Sequence, residues 1–189
     1  MIITVAHLSD RSWEQSRRHV AAAANASPAQ PSRRLLVIHT QDDARSGDQI
    51  CHEAITRNRF TVATAVVPTA RAMHTMLPHF SGHYDDIVIE VQCIDSPLVR
   101  TALGLCERVV VPVLLVDDTE SSTAPDAEQA LREFMMTVAI ARHHNADLTA
   151  LASTNHSAPD WLADLVRAHD GWSLQVGPPT SLMVMASAS

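Results

Sequence analysis

Short apolar runs alternate with longer amphipathic segments along the whole chain. Seven runs of five to nine residues are rich in valine, isoleucine and leucine, which indicates β-strands. They cover residues 2–6, 34–38, 60–67, 86–91, 108–116, 147–152 and 172–176. The run at 108–116 is apolar almost throughout, which is typical of a strand buried on both faces of a parallel sheet. Its Pro112 lacks an N–H donor, so we expect a bulge or an irregular end there.

Between these runs, apolar residues recur at helical spacing. The pattern predicts helices at residues 13–24, 48–58, 69–78, 96–106, 125–143 and 157–169. Thr69 and Ser96 are placed to cap two of them, and Pro97 occupies the first position of its helix. Gly171 is placed to close the last helix. The apolar segment 181–185, which contains Met183 and Met185, is expected to pack at an edge or on a partner.

The alternation of strands and helices predicts an α/β three-layer sandwich with a mainly parallel β-sheet flanked by helices. Ligands bind such sheets at the carboxyl ends of the strands. At the first of these ends, a strand, a polar turn and a helix follow one another over residues 2–16, where a phosphate cradle would lie. This turn contains no glycine, and all fourteen basic residues of the chain are arginine. We therefore expect the backbone framework of a nucleotide site without the glycine and lysine residues that bind phosphate.

Length and composition narrow the class of protein. The 189 residues predict a single domain over 1–189, and no run approaches the roughly 20 apolar residues of a membrane span. We expect a cytoplasmic protein, since the N-terminus shows no signal-peptide pattern. Cys51, Cys93 and Cys106 are an odd number without CxxC spacing, which favours reduced core thiols. A net charge of −7 argues against broad, charge-driven nucleic-acid binding.

Several segments together resemble the ParA/MinD family of deviant-Walker P-loop ATPases, bacterial proteins that partition plasmids and position cargo. MIITVAHLSDRSWEQS aligns without gaps on the family's first strand and KGGxGKTT loop. LLVIHTQDD resembles its strand ending in DTDPQ, and YDDIVIEVQCIDSPLVRTAL resembles its YDxxIIDTPP segment. RVVVPVLL resembles its next strand. The resemblance is strongest over residues 1–145, whereas 146–189 is divergent and shorter, and it implies a P-loop NTPase fold.

The resemblance also implies which functional positions have changed. The family's two loop lysines fall on Ser9 and Glu14. Its glycines and hydroxyl residues fall on Asp10, Arg11, Trp13, Gln15 and Ser16. Trp13 would fill the phosphate space, and each acidic residue beside a phosphate would cost about 4 kcal/mol at 4 Å and an effective dielectric near 20. No nucleotide cofactor is therefore expected.

The family's carboxylates are altered as well. Its two aspartates after the second strand fall on His39 and Gln41, and the aspartate of its fourth strand falls on Glu90. Glu90 alone keeps similar chemistry. The resemblance thus implies a degenerate member that does not hydrolyse ATP by the family's mechanism.

Other polar clusters have a functional and a structural interpretation each. Arg11, Arg17 and Arg18 can contact a phosphate or DNA backbone, or form a solvated helix face. The acidic cluster after the second strand can bind a divalent cation or start a helix; it comprises Asp42, Asp43, Asp48, His52 and Glu53. The remaining metal-capable residues match no zinc spacing and are expected to be structural or at the surface; they are His74, His79, His83 and Cys93. Met135 and Met136 are expected in the core.

Three functional hypotheses follow. The first is a non-catalytic ParA/MinD-like protein, a pseudo-ATPase that acts by protein–protein contact in plasmid partition or conjugative-plasmid maintenance. Its partner would be an intact ParA-type ATPase, a plasmid-transfer component or a second copy. The second is a metal-dependent ATPase or nuclease that uses Glu90, Asp42 and Asp43, with arginines replacing lysine. The third is a DNA-binding accessory protein of a plasmid that uses Arg17 and Arg18.

Overall fold

The computed structural model describes residues 1–8, 34–40, 51–57, 60–113, 124–154 and 158–176. These residues form eight strands and four helices. The strands are β1 (Ile2–His7), β2 (Arg34–His39), β3 (Cys51–Arg57), β4 (Phe60–Val66), β5 (Asp86–Gln92), β6 (Arg108–Pro112), β7 (Thr149–Thr154) and β8 (Trp172–Val176). The helices are α1 (Ala70–Ser81), α2 (Pro97–Leu105), α3 (Ala124–His144) and α4 (Asp160–Arg167).

All eight described strands join one sheet in the order β3-β4-β2-β5-β1-β6-β7-β8. Strands β1 and β5 lie at its centre and pair in parallel from Ile2 opposite Ile87 to His7 opposite Gln92. Every other described pairing is parallel except that of β3 with β4, which is antiparallel. The predicted mainly parallel α/β sheet is therefore confirmed.

The two faces of the sheet carry different residues because side chains alternate along each strand. On the helix face, strand residues such as Ala6, Ile38 and Ile89 form one core with buried residues from all four described helices. On the second face, a smaller apolar cluster consists of Ile3, Val5, Leu35, Val37, Val88, Val110 and Leu151. The central strands are thus buried on both faces, as their near-continuous apolar sequences predict.

Two helices begin at the residues that the sequence predicts. The side chain of Thr69 accepts a hydrogen bond from Ala72 N at 3.2 Å, and that of Ser96 accepts one from Val99 N at 3.2 Å. Pro97 occupies the first turn of α2, where its missing N–H costs nothing. These caps fix where α1 and α2 begin after β4 and β5.

The predicted helix at 48–58 is wrong over its described part. Residues Cys51–Arg57 form β3, which pairs antiparallel with β4 from Cys51 opposite Val66 to Arg57 opposite Phe60. Only two residues separate Arg57 from Phe60, which is the length of a tight hairpin connection. Pairing with a long β-branched strand therefore overrides the weak helical spacing of this segment.

Smaller differences concern element ends and one methionine. Strand β6 ends at Pro112, in agreement with the predicted irregular end. Helix α4 is shorter than the predicted 157–169, and β7 begins two residues later than predicted, at Thr149. Met135 is buried as expected, but Met136 is 61% exposed because it lies off the apolar stripe of α3. The predicted helix 13–24 and the segment 181–185 lie outside the described residues.

Two further predictions concern cysteines and membranes. Cys93 and Cys106 are free thiols, and Cys106 is buried, as expected for reduced cysteines. Burial raises the pKa of Cys106 to about 11 and that of Cys93 well above its usual value. Among the described helices, none combines the length and the apolar character that crossing a bilayer requires.

Gly171 allows the turn between α4 and β8. Its φ is 77°, in the left-handed region, and a Cβ there would overlap the guanidinium of Arg142. Arg142 Nη1 donates to Asp170 O at 3.0 Å, which ties α3 to this turn. Gly104, in contrast, lies in α2 with no atom near its would-be Cβ.

The Gly171→Ala substitution should destabilise the protein, because alanine is strained at positive φ and displaces Arg142. We expect the free energy of unfolding to fall by about 2 kcal/mol. The matched control Gly104→Ala should raise it by about 1 kcal/mol, since alanine is the better helix former. Urea unfolding followed by circular dichroism measures both; equal effects of the two substitutions would contradict this account.

Candidate functional site

Three polar side chains come together on the second face, at the carboxyl ends of the central strands. His39 of β2 is the register partner of Glu90 of β5. Val5 of β1 is the register partner of Glu90 on the other side, and His7 lies two residues further along β1 on the same face. We call His7, His39 and Glu90 the strand-end cluster. It occupies the position at which α/β sheets bind ligands.

The closest contact in the cluster joins an imidazole to a carboxylate. His39 Nδ1 lies 2.6 Å from Glu90 Oε2, and the Glu90 side chain is 0% exposed. Two bare lone pairs would repel at this distance, so a proton must lie between the two atoms. Among the acidic residues whose burial the structure describes, only Glu90 has no exposure at all. Its charge is therefore balanced within the protein by His39, away from solvent.

His7 is the third member and is 1% exposed. Burial lowers its pKa below the usual value, and the charge of His39 lowers it further, while Glu90 partly opposes both by raising it. Burial is the largest of these effects, so His7 is neutral at pH 7. The cluster thus combines one carboxylate with two imidazoles: that of His39 contacts the carboxylate, and that of His7 is buried and neutral.

Backbone hydrogen bonds hold the strand ends that carry the cluster. Thr40 donates to Glu90 O from both its N–H, at 3.2 Å, and its hydroxyl, at 2.7 Å. Cys93 N donates to His7 O at 2.8 Å, and Val67 N donates to His39 O at 3.0 Å. The backbone carbonyl of each cluster residue therefore accepts a hydrogen bond from a residue that follows a neighbouring strand.

The structure locates some of the predicted site residues and not others. Glu90 and His39, two positions at which the resemblance places family carboxylates, are in direct contact. His52 and Glu53 lie in strand β3 and not in the predicted helix. The remaining candidates lie outside the described residues; they are Ser9, Asp10, Arg11, Trp13, Glu14, Gln15, Ser16, Arg17, Arg18, Asp42, Asp43 and Asp48.

The histidines that were predicted to be structural or at the surface lie at the surface. His74, His79 and His83 are all exposed, on α1 and the turn that follows it. Within the part of the chain that the structure describes, no group of three His, Cys, Asp or Glu side chains is arranged to hold a metal ion. The strand-end cluster is included in that statement, because the His39–Glu90 contact leaves no room for an ion between them.

His7 is the member of the strand-end cluster that the sequence did not indicate. It stands directly after the apolar run 2–6 and was assigned to the turn. The alternation of side chains along a strand could have indicated it. His7 is two residues beyond Val5, so it shares the face of Val5 once β1 extends by one residue. A strand boundary that is wrong by one residue was enough to hide it.

Comparison with known proteins places the fold. No protein-family model matches the chain, and no curated protein matches it in sequence. A ParA family ATPase from Chlorobium tepidum superposes with a TM-score of 0.59 at 10% identity, over 100% of this chain and 92% of its own. A plasmid partition protein from Borrelia burgdorferi gives a TM-score of 0.52 at 14% identity, over 93% and 90% of the two chains.

A chain of the MinC:MinD cell division protein complex from Aquifex aeolicus also matches. Its TM-score is 0.51 at 11% identity, over 96% of this chain and 84% of its own. Identities this low establish the fold alone. The chain therefore has the α/β fold of the ParA/MinD P-loop ATPases, and the resemblance found in the sequence is confirmed at that level.

The lowered pKa of His7 predicts a pH dependence of stability. Because the unfolded chain protonates His7 near its usual value of about 6.5 and the folded chain does so at lower pH, acid favours unfolding. The stability present above pH 6.5 should thus decline as the pH falls, by up to about 1.4 kcal/mol per unit from this residue. Urea unfolding of the wild type and His7→Gln across this pH range measures the difference.

In this experiment, His7→Gln should show the shallower decline, whatever its stability at pH 7.5. His74→Gln is the matched control, because His74 is exposed and should leave the wild-type slope unchanged. If His74→Gln flattened the curve as much as His7→Gln, burial of His7 would not be the cause.

The His39–Glu90 contact should show strong energetic coupling. Removing His39 leaves a buried carboxylate without its compensating partner, so His39→Ala should cost about 3 kcal/mol or more. With Glu90→Ala and the double variant, a double-mutant cycle should give a coupling of about 1–3 kcal/mol. Asp95 and Arg100 form the control pair: their ion pair is also 2.6 Å long but exposed, so solvent should weaken its coupling well below the buried one. Equal coupling in both cycles would contradict the role of burial.

Proposed function

We propose that this protein is a non-catalytic relative of the ParA/MinD ATPases that acts through protein–protein contacts in plasmid partition or conjugative-plasmid maintenance. Its working location is the bacterial cytoplasm, and it binds no nucleotide cofactor. The fold is that of the ATPases, whereas the polar chemistry at the strand ends is different. The function therefore rests on the surface of the fold.

The observation that carries this proposal is the contact between His39 and Glu90. In the family, the aligned positions are aspartates, which present free oxygens at the strand ends. Here the remaining carboxylate is 0% exposed, with Oε2 2.6 Å from a ring nitrogen. A carboxylate held in this way cannot also face a ligand without breaking its pair, which would leave a buried charge at considerable cost.

The described residues also do not fit the magnesium that accompanies nucleotide in such ATPases. Magnesium prefers oxygen ligands in octahedral geometry and keeps several waters. The strand-end cluster offers imidazole nitrogens beside its one carboxylate, and both Glu90 and His7 are shielded from solvent. The absence of any lysine from the chain removes the family's phosphate-binding cation as well.

The neighbours support a role in assembly. One is a plasmid partition protein, and another was solved within a complex of two different cell division proteins. By analogy, an intact ParA-type ATPase or a plasmid-transfer component is the expected partner. A second copy of this chain is the alternative partner, and in that case the contact would need no bridging nucleotide.

Calorimetric titration with ATP and magnesium, run beside size-exclusion chromatography, tests the proposal. We expect no heat of binding at millimolar ATP, no release of phosphate and no change of elution volume with ATP. The Chlorobium tepidum ParA family ATPase serves as the control that must respond under the same conditions. Mixing this protein with the ParA-type ATPase of its own replicon should then give a complex that elutes earlier than either protein alone.

Other outcomes would favour the other hypotheses. Magnesium-dependent phosphate release that is lost in Glu90→Gln would contradict the proposal and favour an enzyme that uses Glu90 with Asp42 and Asp43. Salt-dependent DNA binding that weakens in Arg17→Ala and Arg18→Ala would instead favour a DNA-binding accessory protein.

A further inference from the structure

The second face of the sheet is buried, although no described helix contributes to its apolar cluster. Its central residues on β1, β2 and β5 are at most 6% exposed; they are Ile3, Val5, Leu35, Val37 and Val88. All four described helices place their buried residues in the core of the helix face instead. This burial arises within a single chain. The same chain must therefore cover the second face with residues beyond the described ranges.

The order of the strands shows which face each connection takes. Four described connections run through a helix from one strand to the next parallel strand: β4 to β5, β5 to β6, β6 to β7 and β7 to β8. Each of them steps towards the β8 edge of the sheet, and each places its helix on the helix face. Connections between parallel strands share one hand almost without exception. The four described helices agree with that rule.

The connection from β1 to β2 steps in the opposite direction. These two strands are parallel and lie on either side of β5, with β2 nearer to the β3 edge. A connection of the same hand that steps the other way crosses the opposite face of the sheet. Its residues, 8–33, are more than the roughly twelve that such a crossover needs. The topology therefore directs this connection across the second face, over β5.

The sequence of this connection contains a segment that suits a buried face. The predicted helix 13–24 carries Trp13, Val20 and Ala24 at spacings of seven and four residues, which places them on one side of a helix. A helix of this length is about 18 Å long, close to the roughly 20 Å of a six-residue strand such as β1. Residues 41–50, which follow β2, contain three aspartates and have Ile50 as their one large apolar residue. They are a less suitable cover.

We propose that the predicted helix 13–24 packs on the second face, with its apolar side against β5 and the strands beside it. Val88 is the central contact in this arrangement, since it lies in register with Ile3 of β1 and Val37 of β2. The three residues form an apolar row across the middle of the face. Packing removes apolar surface of both elements from water, which favours it. The residues after β8 start four strands away from β5, roughly 19 Å at about 4.8 Å per strand.

This packing does not rest on the proposed function, because it follows from the topology and the apolar pattern alone. An active ATPase and a non-catalytic protein of this fold would share it. It does restrict where a partner can bind, since a sheet face that the chain itself fills is not open to a second protein. Under the proposed function, the partner would then contact the helix layer or an edge of the sheet.

Urea unfolding of the full chain, followed by circular dichroism, tests the orientation of the segment. Val20→Asp sets a charge on the apolar side and should lower the urea midpoint by about 1 M or more. Ala22→Asp is the matched control, because it adds the same charge two residues away, on the other side of the predicted helix. Its midpoint should stay near that of the wild type. Equal losses in the two variants, or a larger loss in Ala22→Asp, would overturn the proposal.

A double-mutant cycle with milder substitutions tests the location, and it remains decisive where Val20→Asp fails to fold. Val88 and Ile89 are consecutive residues of β5 that are buried on opposite faces, at 3% and 0% exposure. Val20→Ala and Val88→Ala should depart from additivity by at least about twofold in the unfolding equilibrium constant, as residues in contact do. Val20→Ala and Ile89→Ala should be additive. Additivity in both cycles, or a departure with Ile89 alone, overturns the proposal and assigns the cover of Val88 to another segment of the chain.

Discussion

The register of the central parallel strands determines what the rest of the structure can do. Strands β1, β2 and β5 align so that Val5, Glu90 and His39 share one face. Because side chains alternate, a shift of one residue in any strand would send its polar end into the helix-covered core. The apolar residues on both faces oppose such a shift. The register that buries the core is therefore the register that assembles the strand-end cluster, and neither can change without the other.

The cluster itself reflects a balance between burial and charge. A carboxylate with no exposure is costly, and its pairing with His39 at 2.6 Å offsets that cost without yielding much net stability. The backbone around the pair is fixed by hydrogen bonds, which Thr40 donates to Glu90 O and Cys93 N donates to His7 O. Catalysis needs the opposite, namely a carboxylate that is accessible and poised for a ligand. In this chain the carboxylate at that position is buried and paired with His39.

The sequence predicts those features that depend on local chemistry. Apolar runs locate the seven parallel strands, and Thr69 and Ser96 locate two helix starts, because caps and burial act within a few residues. Strand β3 could not be predicted in this way, since its short apolar stripe suits a helix or a strand and only pairing with β4 decides between them. The exposure of Met136 could not be predicted either, since it depends on which face of α3 packs against the sheet. For the site, the alignment indicated Glu90 and His39, but their contact depends on two strands that are far apart in sequence. His7 could not be assigned to the cluster, because the predicted first strand was one residue too short to include it.

If this chain works without nucleotide, as we propose, its contacts with a partner must be built differently from contacts that a nucleotide bridges. An interface bridged by a ligand draws affinity from that ligand, whereas an interface without one must draw it from the protein surface. The two sheet edges are unequal in this respect, because β3 carries charges and β8 carries none. A five-residue edge provides few main-chain hydrogen bonds, each worth about 1 kcal/mol net, against a larger cost of association. Affinity from one edge of this length alone would therefore be modest, so a stable contact with a partner would have to draw on further surface of the fold.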